Sequence, residues 1–302
     1  MNLTETPKNI TYDLSLYALG YESRSMSIPN KTVKNSKAKI AVGYNYNNKF
    51  AYDTNLKFFE KNGVEIFQID ENKLEDLFST KILPLLKKNN SKNILIDITS
   101  MSRYRFAILI WLLLKTLKEG SKIIIKYSIS KFVSPLKQTT PVKKIEPIIP
   151  YLSGIPGDLN FPTSCIVGLG YEKSKAQGAV NFIDPGELWV LIPQSIEKEF
   201  EPYVLKNNKS LLEEMPNNKK IYYDVHNPLI LYGDLKSLVL GLKSSKRPMI
   251  IPLGPKILCA LSVILGFELQ PELPVWRVSS LEQEKPVDRV SNGKIISFTV
   301  EI

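Results

Sequence analysis

The chain has 302 residues, 43% of them hydrophobic and 23% charged, which excludes a disordered or fibrous protein. That length allows one large domain or two modest ones, each with its own core. The formal net charge of +10, carried mostly by scattered lysines, fits either a solvated lysine surface or attraction to phosphates.

Cys165 and Cys259, the only cysteines, lie in the apolar runs TSCIVGL and ILCALSV. Buried free thiols are expected there, with no disulfide framework and no cysteine metal site. The start, MNLTETPKNITYD, lacks a basic n-region followed by an apolar h-region, so no secretory leader is expected. The longest uncharged apolar run, residues 106–114, is about half the ~20 residues of a membrane crossing. A cytoplasmic protein without a membrane partner is the expectation.

In chain order, the first strand-like run is LYALGYESRS (16–25), then KIAVGY, then VEIFQID (64–70). KLEDLFSTKILPLLKK places Leu74, Leu77, Phe78, Ile82 and Leu85 on one helical face despite Pro84. ILIDITSMSR (94–103) runs into the helix-like YRFAILIWLLLKTL, and KIIIKYSIS (122–130) follows. Residues 134–160, rich in Pro, Lys and Gly and without periodicity, read as a linker.

The order then repeats. IVGLGYEKSK (166–175) shares Leu-Gly-Tyr-Glu with the first run, and LWVLIP and KIYYDVHN (220–227) come next. DLKSLVLGLKSS sets Leu235, Leu238, Val239 and Leu242 on one face, although Gly241 weakens a helix. MIIPLGPK (249–256) and PVWRVSS (274–280) complete the set, and 81 residues separate Glu22 from Arg103 against 84 from Glu172 to Lys256. The tail from Glu282 ends in KIISFTVEI, which reads as one extra edge strand. The expected fold is α/β: two tandem Rossmann-like domains arising by internal duplication, each a mostly parallel sheet flanked by helices. The expected boundaries are 1–133 for the first domain, 134–160 for the linker and 161–302 for the second.

In such a sheet the first and fourth strands are neighbours across the switch point, and ligands bind beyond their carboxyl ends. GYESR is then expected beside TSMSR, and GYEKSK beside LGPK. A strand feeding a helix offers free N–H groups and a positive dipole end to an anion. Thr99, Ser100 and Ser102 add hydroxyls and Arg103 a guanidinium. In the second half Gly254 permits close backbone approach, Pro255 suits a first helical turn, and Lys256 supplies charge. Arg24 and Lys173 are further basic candidates. Tyr21 and Tyr171 either stack on a base or pack in the core. Glu22 and Glu172 either complement a helix dipole, pair with Arg103 or Lys256, or accept from a ribose or base. Ser and Thr are also ordinary helix caps, and Gly-Pro an ordinary turn, so a purely structural reading of both loops stays open.

Loops after strands one and four, with small residues and a base after the fourth, resemble the CRISPR-associated Rossmann fold (CARF) and related bacterial-defence domains. TSMSR and LGPK stand where that family carries a Gly-Thr-Lys pattern. The resemblance implies a cytoplasmic antiviral-defence sensor that binds a nucleotide or oligonucleotide, with some members cleaving their ligand. A separate effector domain has no room in this chain.

Two alternatives remain beside a sensor. One is a phosphodiester hydrolase of the first half, ring-nuclease-like or metal-dependent. Its candidates are Glu22, Asp97, Ser100, Ser102 and Arg103, with Asp70 and Asp97 joining Glu22 around a divalent cation. Without metal, Ser100 or Ser102 would work with Arg103 on an in-line displacement. The lone histidine, His226, sits at a strand end where a hydrogen-bonded surface role is commoner than catalysis. The other alternative is a non-catalytic assembly partner of a separate effector subunit. No cofactor is indicated by the residues, and a divalent cation enters only with the nuclease.

Overall fold

The structure is a computed structural model describing residues 1–44, 49–88, 92–135, 142, 144–155, 158–279 and 286–302. Parts of the expected linker (136–141, 143, 156 and 157), the end of the run PVWRVSS (280) with residue 281, and the start of the tail (282–285) lie outside the described residues. The chain divides into two units, Met1–Lys131 with Lys285–Ile302, and Phe132–Glu284.

The first unit holds β1 (Asn2–Thr4), β2 (Tyr12–Leu19), β3 (Ser36–Gly43), β4 (Glu65–Gln68), β5 (Asn93–Asp97), β6 (Lys122–Ser130) and the last strand of the chain, β13 (Ser291–Glu301). They form one sheet in the order β1-β13-β6-β5-β2-β3-β4. The strands β2 to β6 all pair in parallel, so the five strand-like runs of this half stand in the order 3-2-1-4-5. Parallel strands are covered on both faces. Accordingly β2 is buried at almost every position, and the helix Arg103–Thr116 is buried on most sides.

The helical face of residues 74–88 differs from the expected one at its end. A π turn, Phe78–Ile82, interrupts it. Pro84 has no N–H to give the residue-80 carbonyl, and the wider turn before it shifts the face. Leu74, Leu77, Phe78 and Ile82 are buried, but Leu86 takes the place expected for Leu85.

The second unit holds β7 (Lys144–Pro147), β8 (Thr163–Gly168), β9 (Glu187–Gln194), β10 (Lys220–Asp224), β11 (Arg247–Pro252) and β12 (Trp276–Ser279). Its main sheet, β10-β9-β8-β11, is parallel throughout, again 3-2-1-4. The fifth run behaves differently from its counterpart β6. Val275 makes one parallel bridge to Ile250, then β12 turns to pair antiparallel with β7. The helix Pro228–Lys243 forms with Gly241 inside it; it buries Leu231, Leu235 and Val239 and leaves Leu238 and Leu242 half-buried.

Two expected boundaries are corrected. Residues 134–160 are more than a linker: β7 pairs with β12, and Ile148, Ile149 and Leu152 are buried. A four-residue strand is too short to show a period, and its partner lies far along the chain. The tail does not end the second domain. β13 pairs antiparallel with β6 and β1 of the first sheet, burying Phe298 and Val300. It closes an edge that β6 would otherwise expose. Among the described residues, no helix is long and apolar enough to cross a membrane. Both cysteines are free and buried, and burial pushes the Cys165 thiol up to about 12.

Candidate functional site

The pairing of β2 with β5 brings the loops after both strands out side by side, with Leu14 opposite Ile94 and Leu16 opposite Ile96. A Cβ on Gly20 would come within 2.8 Å of Ser100 Cβ, and the Ser25 and Ser100 hydroxyls are 2.6 Å apart. GYESR therefore lies against TSMSR at the carboxyl edge, the arrangement inferred from strand order.

Within that arrangement several candidates turn inward. Arg24 is 2% exposed. Its Nε donates to Glu22 Oε2 at 2.5 Å, and its Nη1 donates to Ser128 O at 3.0 Å and Tyr127 Oη at 3.3 Å. Burial opposes the charge of Arg24, but Tyr127 and Glu22 outweigh it and raise its pKa. Glu22, 8% exposed, is also 3.6 Å from Arg289. This pair holds the loop after β2 together, with Arg24 and Arg289 as the basic partners of Glu22. Asn55 Nδ2 donates to Gly20 O and Glu22 O at 2.8 and 3.1 Å, and Tyr21 packs at 6.0 Å, tilted 48°, on the exposed Phe50.

Beyond β5, Asp97 is buried and accepts the Thr99 N–H at 2.9 Å, while buried Thr99 Oγ1 accepts the Ser128 N–H at 3.0 Å. Thr99 thereby ties the loop after β5 to β6, and Asp97 fixes the backbone of that loop. Ser102 is the N-cap of the helix Arg103–Thr116, its Oγ accepting from Arg105 N at 3.2 Å and donating to Glu71 Oε1 at 2.5 Å. Its own N–H donates to Tyr44 Oη at 3.2 Å. Arg103, the first helical residue, is half-buried. Asp70 is exposed at the start of a 3-10 turn. The expected Glu22–Asp70–Asp97 cation site does not form, because Arg24 holds Glu22 and the main chain holds Asp97. Among the described residues no three His, Cys, Asp or Glu side chains gather as a metal site.

In the second unit β8 and β11 are likewise neighbours, with Ile166 opposite Ile250 and Gly168 opposite Pro252. Leu253 N donates to Gly168 O at 3.1 Å. A Cβ on Gly254 would sit 2.5 Å from Leu169 O and 3.3 Å from Tyr223 Oη, so main-chain approach alone requires glycine here. Pro255 is the N-cap of the helix Lys256–Glu268, whose first residue, Lys256, is half-buried. Glu172 is half-buried and Lys173 exposed. His226 Nδ1 lies 3.0 Å from Asp224 Oδ1, which also accepts the His226 N–H, an ordinary turn at the end of β10.

The two units echo each other in side chains the sequence reading passed over. Asn208 Nδ2 donates to Gly170 O at 2.9 Å as Asn55 does to Gly20 O, and Tyr171 packs 5.5 Å from Phe200 as Tyr21 does on Phe50. Other residues missed at the first site are Ser23, Ser25, Tyr44, Arg105 and Asp288. Arg105 had a signal, a charge immediately before the apolar run FAILIWLLL in a helix-like segment; Asp288 had none.

No family model matches the chain, and no curated protein does. Among solved structures it is similar to a tRNA methyltransferase of B. subtilis, at 14% identity over 37% of this chain, with a TM-score of 0.22. That match spans 43% of the methyltransferase. It is also similar to leucoanthocyanidin reductase of Vitis vinifera, solved with NADPH, at 10% identity over 87% of this chain and 92% of that one, with a TM-score of 0.27. Similarity at this level carries no functional argument.

Proposed function

We propose that this chain binds a nucleotide or another phosphate-bearing ligand at the carboxyl edge of its parallel sheets, as a sensor of the CARF kind in antiphage defence. One observation carries the reading: in both units the loops after the first and fourth strands of a 3-2-1-4 sheet abut, as Ser25 with Ser100 and Leu169 with Gly254. That edge is where open parallel sheets take their ligands. The first unit adds Ser100, Ser102 and Arg103 at the mouth of a 14-residue helix, donors suited to an oxyanion. The shared strand order, together with the Asn55–Gly20 and Asn208–Gly170 bonds, supports an origin by duplication. A ligand sensor acts through an effector, which this reading assigns to a separate subunit.

The test is thermal unfolding against inorganic phosphate, mononucleotides, dinucleotides and cyclic oligonucleotides, for the wild type and for Arg103→Ala combined with Lys256→Ala. A ligand-specific rise in Tm, reduced in the double variant, is expected. If none of these ligands shifts the wild type, both loops are caps and turns and the reading fails.

A further inference from the structure

The first turn of the helix after β5 carries a second arginine in a costly position. Arg105 is 1% exposed. Nη1 donates to Gly43 O at 2.7 Å, Nη2 to Ile69 O, and the guanidinium carbon lies 3.5 Å from the centre of the Tyr44 ring. Its Nε is buried without a hydrogen-bond partner, and among the described residues no carboxylate pairs with it. Two carbonyls and an aromatic face solvate this cation, but no carboxylate of the described residues neutralises it. Burying an unpaired charge is unfavourable, and this one sits where the ends of β3, β4 and β5 converge.

Tyr44 links that cation to the helix mouth. Its hydroxyl accepts the Ser102 N–H while its ring covers Arg105, so one side chain occupies both groups an oxyanion would use. Burial raises the Tyr44 pKa, which keeps the phenol neutral and leaves the charge of Arg105 unmatched.

We propose that Arg105 and the Ser102 N–H form the phosphoryl subsite of the first unit, with Tyr44 holding the position until a phosphate displaces it. The proposal rests on the ligand reading above and gives the buried Arg105 the charge role there. The Glu71 carboxylate on Ser102 Oγ borders the subsite and opposes an anion, so its removal favours binding.

The test is calorimetric titration of the same phosphate and nucleotide panel into wild type, Tyr44→Phe, Glu71→Gln and Arg105→Lys. Tyr44→Phe keeps the ring on Arg105 and releases the N–H, so binding tightens by about threefold to tenfold. Glu71→Gln tightens it in the same direction. Arg105→Lys, folded by circular dichroism, weakens it by about tenfold or more, because a compact ammonium lacks the planar fork that spans both carbonyls and still presents a donor to a phosphate. Should Arg105→Lys fail to fold, Tyr44→Phe decides alone. Binding to wild type that Tyr44→Phe leaves unchanged overturns the subsite and leaves the ligand reading intact. Absence of binding in both wild type and Tyr44→Phe overturns the two together.

Discussion

Ser23 gives both its main-chain N–H and its hydroxyl to the carboxylate of Asp288, at 2.7 Å each, across 265 positions of sequence. Arg24 N donates to Arg289 O at 3.0 Å beside it. The segment leading into β13 is thereby tied across the loop after β2, so the last strand of the chain and the first loop of the sheet hold each other in place.

Asp288→Ala should destabilise the first unit by about 1 kcal/mol, the ordinary net worth of such bonds at an exposed position. Asp288→Asn should recover part of that, because its amide oxygen still accepts from Ser23. Urea unfolding midpoints measure both, and an unchanged midpoint for Asp288→Ala would show that the tie contributes nothing.

Arg24 should be far less replaceable than an exposed basic residue. Arg24→Met leaves the buried Glu22 with only the longer Arg289 contact, a loss on the order of 3 kcal/mol, and Arg24→Lys cannot reach Glu22, Tyr127 and Ser128 together. Both variants should unfold at lower urea than Lys173→Met, whose parent side chain is exposed. Equal midpoints for the three would contradict the buried network.

Two glycines of the second unit should respond with opposite signs. Gly254→Ala pushes a Cβ against Leu169 O and should cost about 1–3 kcal/mol. Gly241→Ala meets nothing within 4 Å inside the helix Pro228–Lys243 and should stabilise by roughly 0.5–1 kcal/mol. Differential scanning calorimetry of the pair checks the assignment of close approach at one site and plain helix at the other.

The Glu187–Lys219 pair predicts a pH response. The hydrogen bond from Lys219 holds the Glu187 carboxyl below its ordinary range. A depressed folded pKa adds stability that is present above the unfolded value, about 4.3 for glutamate, and lost as pH falls through the folded value. Lys219→Met should therefore lower the Tm at pH 7 and converge with wild type as pH falls through the folded value of Glu187. A gap that stays constant over that range would assign the effect to the Lys219 packing on Trp189 instead.

How much was legible follows from the range of each signal. The Leu-Gly-Tyr-Glu repeat and the five apolar runs of each half are local patterns. The strands themselves and the meeting of the first and fourth loops could be read from them, since parallel strands joined by crossovers leave few topologies, whereas the pairing of the second half's fifth run could not. The Gly254 requirement was readable too, as close backbone approach, although its neighbour proved to be Leu169 O.

Tertiary structure alone decided the rest. A strand pattern such as KIISFTVEI states that residues will pair and not with which edge. β13 joined β6 because that edge was open, while the second unit's fifth run was taken by β7. A charged residue in a sequence likewise does not state its partner. Arg24 and Glu22, two positions apart, satisfy each other, whereas Arg105, buried beneath Tyr44, has no carboxylate partner among the described residues. Backbone periodicity is set within a few residues of chain; the pairing of charges and sheet edges is set by which surfaces meet after collapse.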